Sequence, residues 1–122
     1  MTEPRVEPGD LRWEEGNLLF GQGRYPDAVW AYTDAIRRDP KQARYYHNRA
    51  VARAALADAT GAREDAWRVI ELDPDSDSTR RLVSLLDLFA SRPEAPGRTE
   101  GPPPEEMPPI PPEMLKLTLR TD

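Results

Sequence analysis

Ala35-Ile36-Arg37-Arg38-Asp39-Pro40 is answered, 34 residues further on, by Val69-Ile70-Glu71-Leu72-Asp73-Pro74. The same shift aligns Gly16 with Ala50, Ala28 with Ala62 and Ile36 with Ile70. A repeat of this length is the signature of stacked helical hairpins, because two helices of about 12–15 residues and two tight turns use it up. Small residues at matched sites let the paired helices approach closely. The proline closes each hairpin, since the residue before a proline is pushed out of the α region.

Outward from that repeat, five helices are expected. The first spans about Pro8 to Gln22, with Leu11, Leu18 and Leu19 as its apolar contributors and Gly23 just past its end. The second starts near Pro26, a favoured first-turn residue, and buries Ala28, Val29, Tyr32, Ala35 and Ile36 at amphipathic spacing. The third runs from about Lys41 to Ala57 with Tyr45, Tyr46, Ala50 and Leu56. The fourth runs from about Gly61 to Leu72, capped by Thr60, and buries Ala62, Ala66, Val69 and Ile70. A fifth, about Ser78 to Ala90, carries Leu82, Val83, Leu85, Leu86, Leu88 and Phe89 and serves to cover the open face of the second hairpin. Trp30 and Trp67 lie on the second helix of each hairpin, where packing is the expected role.

Composition narrows the function. The chain has 122 residues, a net charge of −5, 14 prolines, no cysteine and a single histidine, His47. There is no disulfide framework, thiolate nucleophile or multi-histidine metal site to expect, so no cofactor and no metal are assigned. No apolar run nears the roughly 20 residues of a membrane span, and Met1-Thr2-Glu3-Pro4 has no character of a signal peptide. A cytoplasmic or nuclear, monomeric protein is expected, with no membrane partner. The acidic balance argues against a nucleic-acid surface, which needs clustered positive charge. Nothing resembles a nucleophile with its base or a phosphate loop, so the chain is not expected to be an enzyme. His47 reads as a polar wall rather than a general base.

The prolines mark the domain plan. Nine of the 14 fall between Pro93 and Pro112, where they deny the chain helix and sheet. The plan is a flexible stretch 1–7, a helical domain 8–91 and a disordered proline-rich tail 92–122. Repeats fall at about 9–40 and 43–74, with a capping helix at about 78–90. Near the end, Leu115, Leu117 and Leu119 alternate with Lys116, Thr118 and Arg120. That period of two predicts a strand over 113–120, suited to adding to a partner's sheet edge.

Glu15-Gly16-Asn17-Leu18-Leu19-Phe20, Gly23-Arg24-Tyr25, Asp27-Ala28-Val29, Tyr32-Thr33-Asp34-Ala35-Ile36 and Asp39-Pro40 together resemble a tetratricopeptide repeat. Tyr46-His47-Asn48-Arg49-Ala50, Asp65-Ala66 and Leu72-Asp73-Pro74 resemble the next repeat of the series. The resemblance spans about Gly9 to Pro74 and implies an all-α fold of two hairpins plus a capping helix. It is closest to the co-chaperone branch, whose groove grips the acidic C-terminal peptide of heat-shock protein 90 or 70. The arrangement of two repeats, cap and tail is also similar to the small tetratricopeptide subunit of the chaperone complex that assembles box C/D ribonucleoprotein particles. There the tail recruits a second protein, which makes Leu115, Leu117 and Leu119 the expected docking residues here.

In the co-chaperone branch, two asparagines and several cations clamp the peptide's carboxylates, as amide donors and charge-assisted bonds should. Asn17 and Asn48 match the asparagines. The matched cations are absent: Trp13, Ala55, Ser78 and Leu82 stand where basic residues are expected. Arg12, Arg44, Arg53, Arg80 and Arg81 are close enough in sequence to substitute, since arginine grips carboxylates bidentately. The expected peptide site is therefore Asn17, Asn48, Arg44 and Arg80 or Arg81, with Trp13 either a stacking platform or a cap over the first hairpin. The alternative is a scaffold whose groove reads a different, more apolar peptide through Trp13 and Phe20, without a chaperone.

Overall fold

A computed structural model describes residues 7–90 and 110–120, the side chains of 88–90 excepted. The expected roles of Leu88 and Phe89, the flexible stretch 1–6 and the tail over 92–109 and 121–122 lie outside the described residues. The fold is all-α. Its helices are α1 (Asp10–Gly21), α2 (Tyr25–Arg38), α3 (Ala43–Ala55), α4 (Ala59–Leu72), α5 (Asp77–Ala90) and α6 (Pro112–Thr118). The first five pack in order, each on the next, and α1, α3 and α5 form an inner layer. Across that layer lies α6, against α3 and α5.

The 34-residue period is visible in the turns. Arg24 N donates to Leu19 O at 2.9 Å, and Asp58 N donates to Arg53 O at 2.9 Å, so the two hairpins close with the same bond. The residue before each donor is left-handed, Gly23 at φ +77° and Ala57 at φ +60°. Glycine adopts that conformation freely, whereas alanine is strained by its Cβ. At the start of α4, Gly61 N donates to the Asp58 carboxylate at 3.0 Å. Asp58, not Thr60, is thus the cap, and the helix begins two residues earlier than the sequence suggested.

The core is built from alanines and aromatics. Ala28, Ala31, Ala35, Ala50, Ala52 and Ala62 are fully buried, as are Tyr32, Tyr45, Val51, Val69 and Leu82. Close helix approach requires this: a Cβ on Gly16 would lie 2.5 Å from the Tyr32 ring, so only glycine lets α1 and α2 meet there. Several expected core positions are instead solvated. Leu11 and Leu18 are 76% and 69% exposed, because α1 turns Trp13, Gly16 and Phe20 inward. Trp30 and Trp67 are also exposed, since α2 and α4 form the outer layer and these residues sit on its outer surface. Leu56 is half-exposed at the end of α3.

An ionic lock joins α3 to α4. Asp65, 2% exposed, accepts from Arg49 Nε at 2.9 Å and Nη2 at 2.7 Å, and from Arg53 Nη1 at 3.1 Å. Arg49 also reaches the Thr33 hydroxyl of α2, at 3.2 Å. The lock fixes how α3 presents its inner face.

The strand expected at 113–120 is a helix. Pro112 opens α6 and Glu113 sits in its first turn, both favourable to a helix start. Leu115 and Leu119 are four apart and turn to the protein, with Leu115 buried, while Leu117 between them is 79% exposed. Alternation in the sequence therefore conceals an i, i+4 pair. The described end of the tail is ordered, contrary to the expectation of disorder through to the terminus: Ile110 and Leu115 join the main core cluster.

Candidate functional site

Asn17 and Asn48 share one hollow. Asn48 Nδ2 donates to Asn17 Oδ1 at 2.9 Å, and the Tyr32 hydroxyl donates to the same oxygen at 2.6 Å. Burial pushes the Tyr32 phenol well above its usual pKa, so it stays a neutral donor. Asn17 is thereby held by its oxygen, with its Nδ2 making no hydrogen bond among the described residues. Asn48 is fully buried between α1 and the chain's own C-terminal segment.

That segment fills the hollow. Asn48 Nδ2 donates to Arg120 O at 2.5 Å, and Arg120 N donates back to Asn48 Oδ1 at 2.7 Å. One amide side chain thus grips both polar groups of one residue, the bonding a β-ladder neighbour would make. Leu119 is extended, at φ −65° and ψ 135°, which carries the chain from the helix into that grip. Next to Asn48, the His47 Nε2 lies 2.6 Å from Thr118 O. A carbonyl only accepts, so Nε2 carries the hydrogen. Arg120 Nη1 reaches Asp73 Oδ2 at 3.3 Å, beyond the end of α4.

The expected cations are placed elsewhere. Arg44 pairs with Asp10 on α1 and stacks 5.0 Å from the Trp13 ring centroid. The Tyr45 hydroxyl donates to the same Asp10 oxygen at 2.6 Å. Burial alone would raise the Asp10 pKa, but the bonds from Tyr45, the Glu7 N–H and Arg44 outweigh it and hold the carboxyl below its ordinary range. Arg44 is therefore a joint between α1 and α3. Trp13, 5% exposed, is packed under it rather than lining a platform. Arg12 is paired with Asp34 at 2.8 Å and Arg53 with Asp65. Arg80 is exposed, 3.8 Å from Asp77 one turn back on its own helix, and Arg81 is exposed beside it. Of the expected set, Asn17 and Asn48 are brought together, Arg44 and Trp13 stack on each other, and Arg80 and Arg81 lie exposed on α5.

Sequence reasoning missed Tyr32 as the residue that orients Asn17, Asp73 as the partner of Arg120, and the occupancy by residues 110–120. The spacing of Leu115 and Leu119 behind Pro112 and Glu113 carried the signal for the last of these. Among the described residues, no three metal-ligating side chains cluster, and no helix is long and apolar enough to cross a membrane.

Comparison with known proteins agrees with the geometry. The TPR repeat family model matches residues 16–56. The Hsp70-Hsp90 organizing protein 2 of Arabidopsis thaliana is 47% identical over 66 residues, 54% of this chain and 12% of that protein. The Hsp70-Hsp90 organizing protein of Triticum aestivum is 48% identical over 65 residues, 53% of this chain and 11% of that protein. A serine/threonine-protein phosphatase T of Aspergillus oryzae is 40% identical over 74 residues, 61% of this chain and 16% of that protein. The chain thus spans only about an eighth of the length of such relatives. Over residues 16–56 the chain is similar to the TPR repeat family, and its stacked helical hairpins fit that similarity and the likeness to the Hsp70-Hsp90 organizing proteins.

Proposed function

We propose that the chain is a co-chaperone adaptor whose tetratricopeptide groove holds the acidic C-terminal peptide of heat-shock protein 90 or 70. The observation that carries the reading is the paired amide site: Asn48 grips a main chain through both its polar atoms, beside an Asn17 whose Nδ2 makes no hydrogen bond among the described residues. The names of the similar proteins, Hsp70-Hsp90 organizing proteins, supply the partner class. Binding is the activity, and the chain performs no chemistry of its own. Once outside the groove, the C-terminal segment is available to a second assembly partner through Leu115, Leu117 and Leu119.

The test is calorimetric titration of the full chain with a synthetic peptide ending in Glu-Glu-Val-Asp, and with the same peptide amidated at its C-terminus. The reading expects binding that weakens with salt and with amidation, and that is lost in Asn17→Ala. Equal affinity for both peptides would reject the carboxylate clamp.

A second reading is favoured by the commitment of Arg12, Arg44 and Arg53 to internal carboxylates. On that reading the groove takes a more apolar peptide, as it takes Leu115 here, without a chaperone. Salt-insensitive binding of an apolar peptide would select it.

A further inference from the structure

We propose that residues 110–120 are a resident ligand of the groove, which a partner peptide must displace before it can bind. The proposal rests on the groove being the peptide site described above. Its own ground is that the segment is seated as a ligand would be, with apolar anchors, main-chain capture and one charged end.

The anchors are Ile110 and Leu115, 6% and 2% exposed, supported by Met114 and Leu119. The main chain is captured at two carbonyls two residues apart: His47 meets Thr118 O, and Asn48 meets Arg120 O and N. The charged end is Arg120, beside Asp73. Those partners come from α3 and from the α4–α5 connection, so the segment bridges the second repeat and its cap. Nothing in the seating involves Leu117 or Lys116, whose exposed side chains point away.

The consequence follows from the chemistry of Asn48. Its amide has one oxygen and one NH₂ group, and the segment uses both. An incoming peptide that needs Asn48 must first break those bonds. Nineteen residues connect α5 to the segment, residues 91–109, so it competes at a local concentration set by its tether rather than by its abundance. The apparent affinity of any groove ligand is then reduced by the fraction of molecules in which the segment has left. Arg120 and Asp73 add selectivity: a peptide with an acid at that position meets Asp73, and one with a base reproduces the resident contact.

The experiment uses the full chain and a synthetic peptide of residues 110–120, so it does not depend on any chaperone sequence. Amide exchange is followed by NMR in the wild type and in Leu115→Asp, with Leu119→Asp as a second release variant should the first unfold. In the wild type the Leu119 and Arg120 amides are protected. In the release variant they exchange about thirtyfold faster or more, while amides of α1 to α4 keep their protection. The added peptide binds the release variant with shifts at Asn17 and Asn48, and binds the wild type at least about tenfold more weakly. Unprotected wild-type amides, no binding to the release variant, or equal binding to both would overturn the proposal. The acidic peptide is then run on the same pair. Tighter binding to the release variant supports displacement, and equal binding overturns it. Binding to neither removes the chaperone reading alone and leaves the resident ligand standing.

Discussion

Replacing Asn48 by aspartate tests the site at its centre, because only one group of the side chain changes. The Oδ1 acceptor for Arg120 N survives, but the NH₂ group that serves Asn17 Oδ1 at 2.9 Å and Arg120 O at 2.5 Å is lost. Two hydrogen bonds of about 1 kcal/mol each disappear, and a carboxylate faces two carbonyl oxygens at a fully buried position. The cheapest escapes are protonation of the new acid or release of residues 110–120 into water. We expect Asn48→Asp to lose about 3 kcal/mol at neutral pH, the bonds plus part of the desolvation cost. The sign of its pH dependence is diagnostic. Burial raises the folded pKa of the introduced acid above the unfolded value of about 4, so the folded state holds the proton longer. Relative to wild type, the variant therefore grows less stable as pH rises from about 5, by at most about 1.4 kcal/mol per unit until the folded acid ionises. Urea unfolding followed by helical circular dichroism at pH 5, 6, 7 and 8 measures both effects. A variant within about 1 kcal/mol of wild type, with the same pH slope, would refute the placement of Asn48 between two carbonyls.

Three other expectations follow from the scaffold. Asp65→Ala leaves Arg49 and Arg53 facing each other without their carboxylate and should cost about 3–5 kcal/mol. A triple variant Arg49→Met, Arg53→Met, Asp65→Leu should recover most of that in the same urea assay. Asp10 has a folded pKa below the unfolded value, so its contribution is complete above about pH 4 and is lost as pH falls through the folded pKa. Asp10→Asn should flatten that acid limb of a pH–stability profile. Ala57 is strained at φ +60°, and Ala57→Gly should raise stability by about 0.5–1 kcal/mol in thermal unfolding, strain relief outweighing the added unfolded-state entropy.

The hairpins were legible because their signals are local. Asp39-Pro40 and Asp73-Pro74 mark chain stops, Gly23 marks a left-handed turn, and alanines at matched positions mark close helix contacts, all set within a few residues. The inward face of α1 was not legible, because Leu11 and Leu18 are as plausible core residues as Trp13 and Phe20, and only packing, Trp13 on Tyr45 and Phe20 on Tyr25, decides between them. The arginines misled for a related reason: charge in a sequence does not say which carboxylate it will meet, and Asp10, Asp34 and Asp65 lie nearer than any ligand. Asn17 and Asn48 were recognised by pattern, yet their bond depends on Tyr32 holding one amide. The tail was misread because three leucines spaced by two fit a strand and also contain a helical pair, and α3 supplies the surface that selects the pair.

The central claim is that the hollow at Asn17 and Asn48 holds the chain's own C-terminal segment, and it can be measured with one label. Leu117 is 79% exposed and the chain has no cysteine, so Leu117→Cys carries a single nitroxide without disturbing the seat. The account predicts strong paramagnetic broadening of the His47 and Asn48 amides of α3 in the full chain, reversed when an excess of groove-binding peptide is added. Sharp α3 resonances in the labelled, peptide-free protein would contradict it.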